Sequence, residues 1–247
     1  HKIEMWTYDD EENKPRKKLI QLRPIHYARF TDDWEHHGRI YTGRLGHQNR
    51  RRMEERSTIT FNGERSVELD YSGLHTRMMY HLEGLEFKTD PYALWGDKTT
   101  DGARLLAKQF INSLINADSP QSAISACNMA MNYKNREGER KKGKALLDAS
   151  RLYEAWKETG LKFADLLPIV LNSHQPISHL FGCDMGMRLM NLDGKIALKI
   201  LYQFSRKWIP CLSCHDSFII PATHEQDLFR SMHKFYKLEM GFLPIVK

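Results

Sequence analysis

A chain of 247 residues, 41% hydrophobic and 28% charged, carries enough apolar material for one large folded domain or two small ones, which excludes a disordered segment. The net charge of +6 favours a polyanionic partner. No apolar run reaches the length of a membrane span, no signal-peptide pattern is visible, and Cys127, Cys183, Cys211 and Cys214 are too few and scattered for a disulfide framework, so a protein of the reducing cytoplasm with no membrane partner is expected.

Residues 1–20 begin on His1 rather than Met, as expected of a processed or trimmed chain. They mix Asp9-Asp10-Glu11-Glu12 with Arg16-Lys17-Lys18 and read as an arm, solvated or laid on another surface. Residues 21–38 hold Trp34 and several histidines without a clean period. Gly38-Arg39-Ile40-Tyr41-Thr42-Gly43-Arg44-Leu45 then brings two glycines, each followed by an arginine, and Arg50, Arg51, Arg52 and Arg56 follow. Taken by itself this cluster reads as a solvated helix face; the functional alternative is a track for nucleic-acid phosphates.

From Ser57 the period becomes two. Thr58-Ile59-Thr60-Phe61 and Ser66-Val67-Glu68-Leu69-Asp70 flank Asn62-Gly63, a strong hairpin signal because both turn residues tolerate positive φ. Asp70 therefore closes a strand. Leu74, Met78, Met79 and Leu82 form a helical stripe after it. Residues 86–99 read as loop. A helix with Asp101 as N-cap runs to about Asn116, and Arg104, Lys108, Asn112 and Asn116 recur every fourth residue along one face. A second helix covers 120–132, residues 134–144 form a basic polar loop, and 145–170 hold one or two helices. Leu167-Pro168 and Gln175-Pro176 mark breaks. Residues 185–206 make a long amphipathic helix. A short strand after Pro210, the turn His215-Asp216 and the strand Phe218-Ile219-Ile220 follow. Thr223 and Gln226 form a capping-box pattern for a last helix over 224–239.

Asp70 and Asp216 each stand at a strand end or turn, where a carboxylate points out from a rigid sheet. Two such carboxylates suit metal-assisted phosphoryl transfer, in which two divalent ions about 3.5–4 Å apart serve the attacking and leaving oxygens. Mg²⁺ is held by one or two carboxylates plus substrate phosphates. Arg104 and Lys108 would neutralise a triphosphate. Taken singly, each of these residues is more readily a turn aspartate or a solvated cation; the joint pattern carries the reading.

Asp70-Tyr71-Ser72-Gly73-Leu74-His75-Thr76-Arg77 resembles motif A of the family A DNA polymerases, Arg104-Leu105-Leu106-Ala107-Lys108 resembles motif B, and His215-Asp216-Ser217 resembles motif C. Thr42-Gly43-Arg44-Leu45 is similar to the Thr-Gly-Arg-Leu element that precedes motif A. The four elements occur in the family's order across residues 39 to 221. The resemblance implies an α+β fold: a right-hand palm with an antiparallel sheet, helical fingers, and a thumb reduced or absent. The division it implies is 1–56 as arm and primer–template contact, 57–85 and 185–247 as palm, and 86–184 as fingers. It implies a nucleotidyltransferase, a DNA polymerase acting in replication on a DNA template with nucleoside triphosphates, such as a mobile element or phage would carry. Two Mg²⁺ ions, or Mn²⁺ in their place, would be held by Asp70, Asp216 and the Tyr71 carbonyl. Arg104, Lys108, His75, Asn112 and Asn116 would line the nucleotide site, while Arg39, Arg44 and His215 would face primer and template.

Three departures from the family pattern bear on the product. His75 stands where the DNA polymerases carry the glutamate that excludes a ribose 2′-hydroxyl. Asn112 and Asn116 replace aromatic residues, and Ser217 replaces a glutamate. His215-Asp216-Ser217-Phe218, with Asp193-Gly194 upstream, is more similar to the phage-type single-subunit RNA polymerases, so an RNA polymerase or primase is the second reading. Two others are a non-catalytic nucleic-acid-binding palm and a c-type haem or zinc site at Cys211-Leu212-Ser213-Cys214-His215.

Overall fold

The computed structural model describes residues 1–9, 16–23, 25–31, 33–43, 46–49, 53–135 and 137–247. In chain order the strands and α-helices are β1 (Ile3–Asp9), β2 (Arg16–Gln21), β3 (His26–Thr31), β4 (Asp33–Thr42), α1 (Met53–Arg56), β5 (Thr60–Phe61), β6 (Glu64–Asp70), α2 (Leu74–Leu82), α3 (Asp101–Asn116), α4 (Pro120–Met131), α5 (Gly143–Thr159), α6 (Phe163–Ser173), α7 (Met185–Arg206), β7 (Leu212–Cys214), β8 (Ser217–Pro221) and α8 (Glu225–Met240). This is a mixed α/β protein with two compact units, one of residues 1–74 and 190–247, the other of residues 75–189.

The first unit is built on an antiparallel sheet of order β2-β1-β5-β6-β8-β7. Alternation in β1 buries Ile3 and Met5. With Leu22, Ile59, Phe61, Leu212 and Ile219 they form a core cluster. The expected N-terminal arm is thus a strand pair, Glu4 opposite Gln21 and Thr7 opposite Lys18. Its two inward apolar residues, too few to show a period, suffice to anchor it. The β5–β6 hairpin turns at Asn62 (φ 52°) and Gly63 (φ 85°), as the Asn-Gly signal requires. Residues 21–38 hid a second hairpin, β3–β4. Register shifts at Arg29, Phe30 and Thr31, with His37 and Gly38 at φ 69° and 78°, break its alternation. Thr223 and Gln226 do not close a capping box on α8. His224 stands at the N-cap, and the Thr223 N–H donates instead to Glu64 Oε1 at 2.9 Å.

The second unit is helical. Helix α3 buries Leu106, Phe110, Ile111, Leu114 and Ile115 on one side. Its cap is Thr100, not Asp101: the Thr100 hydroxyl accepts from the Ala103 N–H, and Asp101 occupies the first turn, where a carboxylate favours the helix dipole. Ser119 caps α4 with Pro120 at its first position. Pro168 does not end a helix. It lies within α6, which continues because Phe163, Leu166 and Val170 bury a common face. Lys141 of the basic loop donates to the Met129 and Ala130 carbonyls at the end of α4, a helix-terminal cap. Among the described residues no helix is long and apolar enough to cross a membrane.

Candidate active site

The first unit assembles the carboxylates. Strands β6 and β8 pair antiparallel with Asp70 opposite Ser217, so Asp70 lies at the end of its strand against the turn that carries His215 and Asp216. The Tyr71 N–H donates to the Asp216 carbonyl at 3.1 Å, which brings the two acidic segments into backbone contact. On the far edge the final residues add a short bridge. The Asp70 N–H donates to the Lys247 carbonyl, the Lys247 N–H returns to the Asp70 carbonyl, and the Ser72 N–H donates to the Ile245 carbonyl, each at 2.9 Å. Asp70 is exposed and Asp216 half-buried. His215 is exposed, at φ 60°.

Tyr71 itself points inward. Its hydroxyl donates to the Met232 carbonyl at 2.8 Å, its ring meets Phe218 and Tyr236, and burial raises its pKa. Its side chain fixes the turn to α8, which leaves only its backbone for chemistry. Glu68, one strand alternation before Asp70, accepts from Ser217 Oγ and pairs with Arg56 at 3.2 Å. Cys214 lies among these charges. Burial lifts its thiol to about 11, Arg56 and Arg39 pull it down, and Glu68 and Asp216 push it up. Burial likewise raises Cys211. Cys214 is buried on β7 and Cys211 is half-buried.

Arg39, expected at the primer, lies on β4 with Nε 2.8 Å from Oδ2 of Asp193 on α7. Asp193 is buried. Desolvation raises its pKa to about 7, Arg39 opposes the rise, and Asp216 adds to it. The sequence reading did not assign Asp193 a role; it is the only carboxylate within the 22 residues of α7, but its partner on β4 leaves no local pattern. Arg44, the other expected primer–template contact, lies outside the described residues, as do Arg50, Arg51 and Arg52.

The second unit carries the other expected groups. Lys108, Asn112 and Asn116 share the exposed face of α3, and Asn116 Nδ2 donates to the Asn112 carbonyl at 2.7 Å. Arg104 pairs with Asp90 at 2.6 Å and stacks over Tyr92, whose ring Lys108 also approaches. An open cavity of about 660 Å³ near the end of α3 is lined by Asn112, Asn116, Asp118 and Asp184 among others. His75 is half-buried in the first turn of α2.

Among the described residues, no group of three or more His, Cys, Asp or Glu side chains forms a metal cage. Asp70 and Asp216 would suit instead an ion that draws its remaining oxygens from water and substrate, as Mg²⁺ does.

No family model and no curated protein matches this sequence. Among solved structures, the chain is similar to the POL domain of Pol1 from M. smegmatis, in complex with DNA primer-template and dNTP. The likeness has a TM-score of 0.47 and 12% identity, and covers 85% of this chain and 44% of that one. The chain thus spans less than half the length of that polymerase domain.

Proposed function

We propose that the protein is a template-directed nucleotidyltransferase that extends a nucleic-acid 3′-hydroxyl with nucleoside monophosphates from triphosphates, as a DNA polymerase. The observation that carries this reading is the placement of two carboxylate-bearing residues: Asp70 ends β6 opposite Ser217 of β8, and the next residue, Tyr71, donates its N–H to the carbonyl of Asp216 in the turn before β8. A sheet supplies such a pair with a rigidity that loops lack.

In the proposed reaction the 3′-hydroxyl loses its proton to solvent, its oxygen attacks the α-phosphorus, a new phosphodiester forms, the bond from the α-phosphorus to the bridging oxygen breaks, and pyrophosphate leaves. Divalent metal, when bound, lowers the pKa of the attacking hydroxyl and neutralises the departing pyrophosphate. Asp70, Asp216 and the Tyr71 carbonyl would hold the metal. Arg104 and Lys108 bind the triphosphate, with Asn112 and Asn116 further along α3. His75 faces the sugar, and Arg39, Arg44 and His215 contact primer and template. RNA synthesis is the second reading, favoured by His75, an imidazole where a carboxylate would be needed to reject a 2′-hydroxyl.

Primer extension with dNTPs and, separately, rNTPs in Mg²⁺ tests both readings. Asp70→Asn should reduce incorporation by at least about a thousandfold while duplex binding stays within a few-fold, the mark of a group that acts in the transition state. Incorporation that survives this substitution excludes the mechanism.

A further inference from the structure

We propose that Asp193 is a positioning residue that holds Arg39 beside the Asp216 turn, so that the Arg39 guanidinium grips the sugar-phosphate backbone of the primer end. This rests on the polymerase reading above.

Helix α7 and strand β4 meet at backbone distance. Gly194 admits the approach because it has no side chain: a Cβ there would lie 2.2 Å from the Gly38 carbonyl oxygen. Gly38 itself takes φ 78°, a conformation glycine adopts without strain. One turn away, Asn191 Nδ2 donates to the Trp34 carbonyl at 2.9 Å, pinning the hairpin to the helix. These contacts fix the residues next to the two glycines, Arg39 and Asp193, opposite one another. The ion pair forms there at 2.8 Å, with side-chain exposures of 17% for Arg39 and 4% for Asp193.

That arrangement is a poor source of stability. Two desolvated charges rarely outperform an apolar pair of the same volume. It is a good source of placement. The closest approach is through Nε, at the base of the guanidinium. Arginine's planar fork suits phosphate oxygens, and a fork anchored at its base loses less freedom when it binds them. Gln48 Nε2 donates to the carbonyl of Ile40, next to Arg39, at 3.3 Å and to the carbonyl of Ser213 at 2.9 Å, which ties β4 at Arg39 to the strand that leads into the Asp216 turn.

The test uses the full chain and a fluorescent DNA primer–template, read by anisotropy across salt concentrations and by primer extension. Arg39→Ala should weaken binding about tenfold and make the slope of log K against log salt shallower by roughly one. Asp193→Asn leaves the arginine charged but unplaced. Binding should then stay within about threefold while kcat falls about tenfold or more, and the loss should vanish when Arg39 is already alanine. Asp193→Glu should recover part of kcat. Asp193→Leu separates placement from packing. Full stability with low kcat supports the proposal; full stability with restored kcat overturns it. Equal Asp193→Asn losses with and without Arg39 also overturn it. If the wild-type chain extends no primer under any nucleotide condition, the polymerase reading fails. The proposed grip then stands on binding alone, and an unchanged affinity and salt slope in Arg39→Ala removes it.

Discussion

His75 occupies the first turn of α2, five residues after Asp70, and it is neither a carboxylate nor small. A glutamate there would oppose a ribose 2′-hydroxyl by occupying its space and its hydrogen-bonding partners; an imidazole sets a different boundary. His75→Glu should therefore raise the ratio of kcat/KM for dNTP over rNTP by about tenfold or more, the scale of one discriminating polar contact. An unchanged ratio removes His75 from sugar selection. The place of His75 at the start of a helix was legible because a strand, a turn and a helix follow one another around it. Asp193 was not, because its partner lies 154 positions away on a hairpin that the sequence did not reveal, and an ion pair between distant elements leaves no local period.

At the scale of elements, the long helices and the two acidic turns followed from pattern. Apolar spacing located α3 and α7, and Asn62-Gly63 located the β5–β6 turn with its two positive φ angles. Where the pattern was weak, tertiary packing decided: β1 and β2 pair through a stretch whose charges read as an arm, and Pro168 is carried through α6 by three buried neighbours. Helix α3 gives a prediction of its own. Lys108 is exposed and Arg104 is already paired with Asp90, so Lys108 is the freer cation for a triphosphate. Lys108→Ala should raise the nucleotide KM about tenfold or more, as expected from losing one charge-assisted contact, with the thermal midpoint unchanged because the side chain is outside the core. A fall in midpoint that accounts for the lost activity would assign Lys108 to the fold.

For the whole molecule, acid is the informative perturbation. His47 is 1% exposed, its Nε2 lies 2.6 Å from the Ser213 carbonyl, and burial lowers its pKa from 6.5 to about 4. Burial also lowers His81 to about 4 in the helical unit. Each is neutral when folded and protonates more readily when unfolded. Their contribution is complete above pH 6.5 and is lost as pH falls from 6.5 towards 4, about 3 kcal/mol for a shift of this size at His47. Asp193 acts with the opposite sign: its raised pKa makes its contribution fall as pH rises from 3.8 to about 7. Comparing wild type with His47→Gln isolates the first effect. The stability gap between them, measured by urea unfolding, should narrow between pH 7 and pH 5, and a constant gap would show that His47 titrates freely. The division into two units falls at His75 and Met190, inside the reach of α2 and α7, a boundary fixed by contacts and not by composition.

The three amides of Asp70, Tyr71 and Ser72 donate in succession to the carbonyls of Lys247, Asp216 and Ile245. A chelating loop that needs its ion to become ordered exposes such protons to solvent whenever the ion leaves. Here the hydrogen bonds are made by the protein's own chain on both flanks, so the acidic turn is stiff before any ion arrives. Deuterium should enter these three positions slowly in chelator-treated protein, and saturating Mg²⁺ should change their rates by less than about threefold, because little ordering is left for the ion to supply. A metal bound at such a turn would owe its affinity chiefly to charge and solvation, with little folding energy drawn into the binding equilibrium.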